Sequence, residues 1–330
     1  MIKGKSRRIA LYGVTILALC VPATLSAAPV EQLNLPGYVG VQMTRGRQNH
    51  LTVPMQVNGK PANFLVDTGS DVSFFEATRG PAFNVTATPE QVRRSGQLFP
   101  FGSIADLRAG GAVFGQTKVA LYRIAQLRGA VPGPGGRPAE GVLGLDVLRR
   151  HRAVINCRTR QIFFQTDPSR RLDVGAATQG LGFARVAINE DRNGKLSVPC
   201  RLAARSGKLS LDTGAFVSGL DDDTARLLGL ATTPSGITAR SFDGRVRPVF
   251  LAQVNDLSIG GVTIAPQKLA VLDVFAKGKL PRTFTGLNRI EFRTRRDAVR
   301  EPELFGLLGN ELLDQRRAII DLGSMSLFLK

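Results

Sequence analysis

Phe64-Leu65-Val66-Asp67-Thr68-Gly69-Ser70 and Leu209-Ser210-Leu211-Asp212-Thr213-Gly214-Ala215 are the two stretches whose reading decides the fold. Each is a run of strand-forming apolar residues that ends abruptly on an acid, a hydroxyl and a glycine. One Asp-Thr-Gly is a weak signal, because so short a string arises by chance. Its return in the same context makes the sequence around both copies worth aligning.

The alignment shows an internal duplication. Gly37-Tyr38 faces Gly182-Phe183, Leu51-Thr52-Val53-Pro54-Met55 faces Leu196-Ser197-Val198-Pro199-Cys200, and Asp67 faces Asp212, all at one offset of 145 residues without a gap. Later, Gly141-Val142-Leu143-Gly144 with Arg152 to Asn156 matches Gly306-Leu307-Leu308-Gly309 with Arg317 to Asp321, at an offset of 165. The second copy therefore carries a net insertion, which falls mostly within Phe275 to Glu303. A chain of 330 residues is long enough for two domains with their own cores.

The repeated blocks are β-like. They are short runs of Val, Ile, Leu and Phe, separated by turn formers such as Asn58-Gly59, Asp243-Gly244 and Gly260-Gly261. Helical periodicity is confined to short pieces: Asp221 to Leu228, where Gly229 can end the helix in the left-handed region, Asp146 to Arg150, and its counterpart Glu311 to Gln315. Thr166 to about Gln179 is polar and turn-rich and reads as a linker. The expected organisation is a signal segment over residues 1–28, one lobe over 29–170, a linker over 171–178 and a second lobe over 179–330.

Two aspartates held close together suit amide hydrolysis without a metal or a covalent intermediate. One carboxylate deprotonates a water while one carboxylic acid polarises the carbonyl. Like charges at such range do not both ionise cheaply, so the pair holds one proton between them. The glycine permits a tight turn under the carboxylate, and the threonine hydroxyl can tie the loops together.

These residues resemble the pepsin and retropepsin group of aspartic peptidases. In that group an apolar strand leads to Asp-Thr-Gly followed by Ser, Thr or Ala, and a later apolar-apolar-Gly segment passes behind it, as Val142-Leu143-Gly144 and Leu307-Leu308-Gly309 would here. The resemblance covers about residues 37 to 330 and is nearest to compact two-lobed bacterial members. It implies an all-β fold of two homologous retropepsin-like barrel lobes around a central cleft, with Asp67 and Asp212 as the catalytic pair of an endopeptidase. By the same resemblance Thr68 and Thr213 bridge the loops, and Gly69 and Gly214 set the turns. Ser70 hydrogen-bonds the outer oxygen of Asp67, which Ala215 cannot do for Asp212, so the two carboxyls differ. Hairpin flaps are expected at Phe99 to Asp106 and Thr238 to Val246, neither with the tyrosine usual in a first flap. The alternative is an inactive member that binds peptides or envelope polymers in the same cleft.

No HExxH, CxxC, GxSxG or phosphate loop occurs, so no metal and no cofactor are expected. With only His50 and His151, a histidine-dependent triad has little material. Both histidines sit in polar or basic stretches and read as surface residues.

Lys3, Lys5, Arg7 and Arg8 precede an apolar run from Ile9 to about Ala23 and the small-residue stretch Leu25-Ser26-Ala27-Ala28, which reads as a cleaved export signal rather than a lasting transmembrane anchor. The expected location is the periplasm or the exterior, with a monomer acting on peptide or protein substrates. Cleavage takes four of 44 basic residues and none of 26 acidic ones, leaving a net charge of +14. Eight Lys and Arg residues between Phe275 and Arg300 would draw acidic envelope components; no nucleic-acid module is recognisable. After cleavage Cys157 and Cys200 remain. An oxidising compartment allows a disulfide between them, but their repeat partners, Leu322 and Met55, are apolar, which favours buried free thiols.

Overall fold

The computed structural model describes residues 33–46, 49–94, 97–123, 139–170, 172–240, 246–275 and 304–330. The segment 1–28 expected to be an export signal, the basic insertion beyond Phe275 and residues 241–245 lie outside them. Among the described residues strands are the main regular structure, with four short α-helices: α1 (Leu145–Arg150), α2 (Val174–Thr178), α3 (Asp222–Leu227) and α4 (Asn310–Gln315).

Each half builds one large sheet on the same plan. In the first, Lys60–Val66 runs antiparallel to Leu51–Val57 and parallel to Gly141–Leu143, which in turn pairs with Phe74–Glu76. In the second, Arg205–Leu211 runs antiparallel to Leu196–Leu202 and parallel to Leu304–Leu308, which pairs with Gly219–Asp221. The apolar-apolar-Gly segments thus pass behind the Asp-Thr-Gly strands, in register Leu65 to Val142 and Ser210 to Leu307. Strands covered on both faces need continuous apolar sequence, and Phe64, Val66, Leu143, Leu211 and Leu308 are all at most 1% exposed. Glycine is required where the strands cross. A Cβ on Gly306 would lie 2.0 Å from the Gly219 carbonyl oxygen, and one on Gly141 would lie 2.6 Å from that of Phe74.

A third, six-stranded sheet joins the halves. Its order is Tyr38–Gln42, Gln161–Gln165, Val154–Asn156, Ile319–Asp321, Ser326–Leu329, Ala184–Ala187. Ile155 pairs with Ile320 at its centre, and these two residues are repeat equivalents, so the symmetry of the duplication runs through this pair. The fold is an all-β bilobal one.

The linker differs from expectation. Val174–Thr178 forms α2, begun by the Asp173 carboxylate accepting from the Ala176 amide at 3.1 Å. Val174 packs with Leu33, Leu35, Phe163 and Phe328 against the joining sheet. A single buried valine among Gly175, Ala176 and Ala177 gives no visible periodicity, although it docks the crossing segment. Helix α3 ends where Gly229 takes φ +65°, but Asp221 does not cap it; that carboxylate accepts from the Val274 amide at 3.2 Å.

The disulfide allowed by the sequence is not formed. Cys157 and Cys200 are free and buried in different sheets: the Cys157 amide donates to Ala318 beside the joining sheet, while Cys200 pairs with Gly207 and Ile259. Burial pushes both thiols up to about 12, so they stay protonated and unreactive. A reductant should therefore leave the melting temperature of the purified protein unchanged, and a marked fall on reduction would show that a bridge forms. No described helix is long and apolar enough to cross a membrane.

Candidate active site

Asp67 and Asp212 each begin the loop that leaves an Asp-Thr-Gly strand. Both backbone amides are held by the segment behind, Asp67 to the Leu143 carbonyl and Asp212 to that of Leu308, each at 3.1 Å. Serines at equivalent positions repeat the support. Ser73 Oγ accepts from the Gly144 amide at 2.9 Å, and Ser218 Oγ from Gly309 at 2.8 Å.

The threonines cross between the loops. Thr68 Oγ1 donates to the Leu211 carbonyl at 2.9 Å and accepts from the Thr213 amide at 3.0 Å. Thr213 Oγ1 donates to the Val66 carbonyl at 2.8 Å and accepts from the Thr68 amide at 3.0 Å. Both threonines are fully buried, so four hydrogen bonds lock the two loops where water does not compete. Within the second half, the Asn310 side-chain amide also holds the Thr213 carbonyl, at 2.5 Å.

The lock brings the carboxyls face to face. A Cβ on Gly214 would lie 2.5 Å from the carboxyl carbon of Asp67, and one on Gly69 would lie 2.6 Å from that of Asp212. Each glycine thus floors the opposite carboxyl, and any side chain would fill that space. Burial first, and the Asp212 charge second, raise the Asp67 carboxyl above the ordinary range; burial also raises Asp212. The two carboxyls hydrogen-bond each other, as a pair sharing one proton does.

The inequality between them has a different source from the one expected. Ser70 does not reach the outer oxygen of Asp67; its hydroxyl donates to the Val72 carbonyl at 2.8 Å. Asp67 Oδ1 accepts one backbone amide, from Gly69 at 2.8 Å. Asp212 Oδ1 accepts two, from Gly214 at 2.9 Å and Ala215 at 3.0 Å. Two donors stabilise a negative charge better than one, so the proton rests on Asp67 and the charge on Asp212. The backbone of Ala215, rather than the side chain of Ser70, sets the difference.

A family model described as aspartyl protease matches residues 53–147 and 198–312, well over half of the chain and both copies of the motif. The chain belongs to the aspartyl protease family. Among solved structures it is similar to an aspartic proteinase from Irpex lacteus, at 14% identity over 88% of this chain and 96% of that one with a TM-score of 0.48. It is also similar to basic 7S globulin from soybean, at 13% identity over 91% and 95% of the two chains with a TM-score of 0.43.

Both flap positions fall on β-hairpins. The first hairpin is longer than the sequence indicates, pairing Thr86–Arg94 with Gln97–Ala109, so Phe99 to Asp106 is one of its strands. The second pairs Thr232–Arg240 with Val246–Val254, residues 241–245 between them lying outside the described residues. Neither has a tyrosine, but Tyr122 of the neighbouring strand meets Phe99 edge-on at 4.7 Å, and Phe74 at 5.8 Å. Tyr122, with Phe101, Val72 and Val92, covers a small apolar cluster of Leu65, Phe74, Ala120 and Val142. A cavity of about 500 Å³ beside α1, lined by Phe101, Lys118, Asp146 and Arg150, includes no residue of the Asp-Thr-Gly motifs.

Two contacts near the pair were not legible as such. Lys195 donates to the Gly69 carbonyl at 2.5 Å and lowers both carboxyls electrostatically. His50, expected at the surface, is only 8% exposed and lies against Phe216. His151 is half-buried, edge-on to Phe114 at 4.6 Å. Among the described residues, Asp221, Asp222 and Asp273 bring three carboxylates within reach of one ion. Such acidic groups are ordinary near a surface, and Arg247 lies 3.6 Å from Asp273.

Proposed function

We propose that the chain is an aspartic endopeptidase in which Asp67 and Asp212 activate a water between them. The observation that carries this reading is the pair of buried carboxyls, cross-braced by Thr68 and Thr213, with one proton to share and one better-stabilised charge.

Asp212 takes a proton from the water as its oxygen bonds the scissile carbonyl carbon, while Asp67 gives its proton to the carbonyl oxygen. The product is a tetrahedral diol, now facing a protonated Asp212 and an ionised Asp67. Collapse breaks the C–N bond. The leaving nitrogen takes the proton from Asp212, one diol hydroxyl returns a proton to Asp67, and the pair is restored. The resting pair must therefore be singly protonated, and because burial raises both carboxyls that form persists above the ordinary carboxylate range, from acidic toward neutral pH.

Digestion of a denatured protein mixture by the chain freed of residues 1–28, from acidic to neutral pH, tests the reading. Internal cleavage by the parent and none by Asp67→Asn is expected. Tight peptide binding without cleavage at any pH would make the cleft a binding site and sink the proposal. We place the protein outside the cytoplasm, on the basic and apolar pattern of its first 28 residues, where its excess of positive charge would bring it to acidic envelope polymers and acidic substrates.

A further inference from the structure

The second offset of the repeat sets Asn310 against Leu145, each the residue after the glycine of its apolar-apolar-Gly segment. Their backbones make the same contact. The Leu145 amide donates to the Ser70 carbonyl at 2.8 Å, and the Asn310 amide donates to the Ala215 carbonyl at 3.0 Å. Both residues are buried, Leu145 at 3% exposed and Asn310 at 0%. One buried position thus takes leucine in the first half and asparagine in the second. Asn310 Oδ1 has no hydrogen-bond partner, and a buried polar atom left unpaired costs stability, so packing alone is a poor reason for the asparagine.

The other polar atom of that side chain has a definite contact. A carbonyl oxygen only accepts, so it is the side-chain nitrogen that faces the Thr213 carbonyl, 2.5 Å away. The peptide that begins with this carbonyl ends in the Gly214 amide, which donates to the Asp212 carboxylate at 2.9 Å. A donor on a peptide oxygen polarises the N–H on its far side and strengthens the bond which that N–H makes. In the first half the same line of contacts lacks its first link. The Gly69 amide donates to the Asp67 carboxyl at 2.8 Å, but leucine offers the Thr68 carbonyl no donor.

We propose that Asn310 is a positioning residue for Asp212: its side-chain amide fixes the Thr213–Gly214 peptide, tightens the hold of the Gly214 amide on the Asp212 carboxylate, and so keeps the negative charge of the pair on Asp212. This rests on the reading of Asp67 and Asp212 as the working pair. Among the described residues, the charged groups that act on Asp212 are Asp67, hydrogen-bonded to it, and Lys195. Glu311, beside Asn310 on α4, accepts from the Ser218 amide at 2.5 Å, and His50 lies against Phe216. Giving Asn310 the leucine of its sister position leaves all of these groups in the chain and removes only the donor on the Thr213 carbonyl.

The test needs no hydrolysis, because replacing one aspartate of the pair lets the other titrate alone. In the chain freed of residues 1–28, carrying Asp67→Asn and labelled with carbon-13 at its aspartate carboxyls, the Asp212 signal is the one lost when Asp212→Asn is added. Asn310→Leu in the Asp67→Asn chain should raise the Asp212 midpoint by roughly half a pH unit. The reverse transplant, Leu145→Asn in the Asp212→Asn chain, sets a donor opposite the Thr68 carbonyl and should lower the Asp67 midpoint by a similar amount; it carries the test if Asn310→Leu does not fold. A merely structural role for the position would not move the two midpoints in opposite directions. An unmoved midpoint in either folded variant overturns the proposal, whether or not the protein cleaves anything. Midpoints that shift as stated in a protein that cleaves nothing uphold it and sink the peptidase reading alone. In an active protein, Asn310→Leu should move the acid limb of kcat/KM to higher pH, and an acid limb that stayed in place would also overturn the proposal.

Discussion

Asp67→Asn and Asp212→Asn should each lower kcat on a neutral peptide by roughly a thousandfold or more, and the double variant should be little worse than either. Either change removes the shared proton and the charge it balances, so the effects belong to the pair. The same variants should melt no lower than the parent at neutral pH. Burial raises both carboxyls, so the folded state holds protons more tightly than the unfolded chain. The stability linked to them is fully present below the unfolded carboxyl pKa of about 4 and is lost as pH rises through the raised folded values. Asn never ionises, and its oxygen can still accept from the Gly69 or Gly214 amide, so the Asn variants escape that loss. Melting curves at acidic and neutral pH, beside peptide hydrolysis, check both halves. An Asn variant that kept substantial turnover would sink the assignment; one that melted far below the parent at every pH would make its inactivity a folding defect.

The pair was legible in the sequence because a duplication writes its site twice. The offset that joins Asp67 to Asp212 also joins Thr68 to Thr213, Ser73 to Ser218 and Gly69 to Gly214, and each of these couples makes the same contact in both halves. The joining sheet is written in the second offset, which places Ile155 opposite Ile320. What could not be read is where the symmetry is broken. Ser70 and Ala215 invite the conclusion that a hydroxyl favours Asp67. A rotamer decides otherwise by turning that hydroxyl to Val72, and a backbone amide on the other side does the work. His50 reads as a surface residue because its neighbours in sequence are polar, but it is buried against Phe216 of the opposite half.

Thr68→Val and Thr213→Val should each destabilise the whole molecule and impair hydrolysis, although neither residue is proposed to touch substrate. Valine keeps the shape and removes the hydroxyl. In Thr68→Val the Leu211 carbonyl and the Thr213 amide lose the partners shown; in Thr213→Val the Val66 carbonyl and the Thr68 amide lose theirs. Each stranded buried group costs about 1–3 kcal/mol, so each variant should lose about 2–6 kcal/mol. At about 2–4 °C per kcal/mol for a chain of this size class, the melting temperature should fall by roughly 5–20 °C. The four bonds are distinct, so the double variant should lose more than either single one. Turnover should fall with kcat more than KM, because the loops fix the distance between the carboxyls rather than the grip on substrate. Thr68→Ser keeps the hydroxyl and should recover most of both losses. A Thr68→Val protein that melts and cleaves like its parent would mean that the two loops are held together by the surrounding sheets and that the threonine lock is incidental to the site.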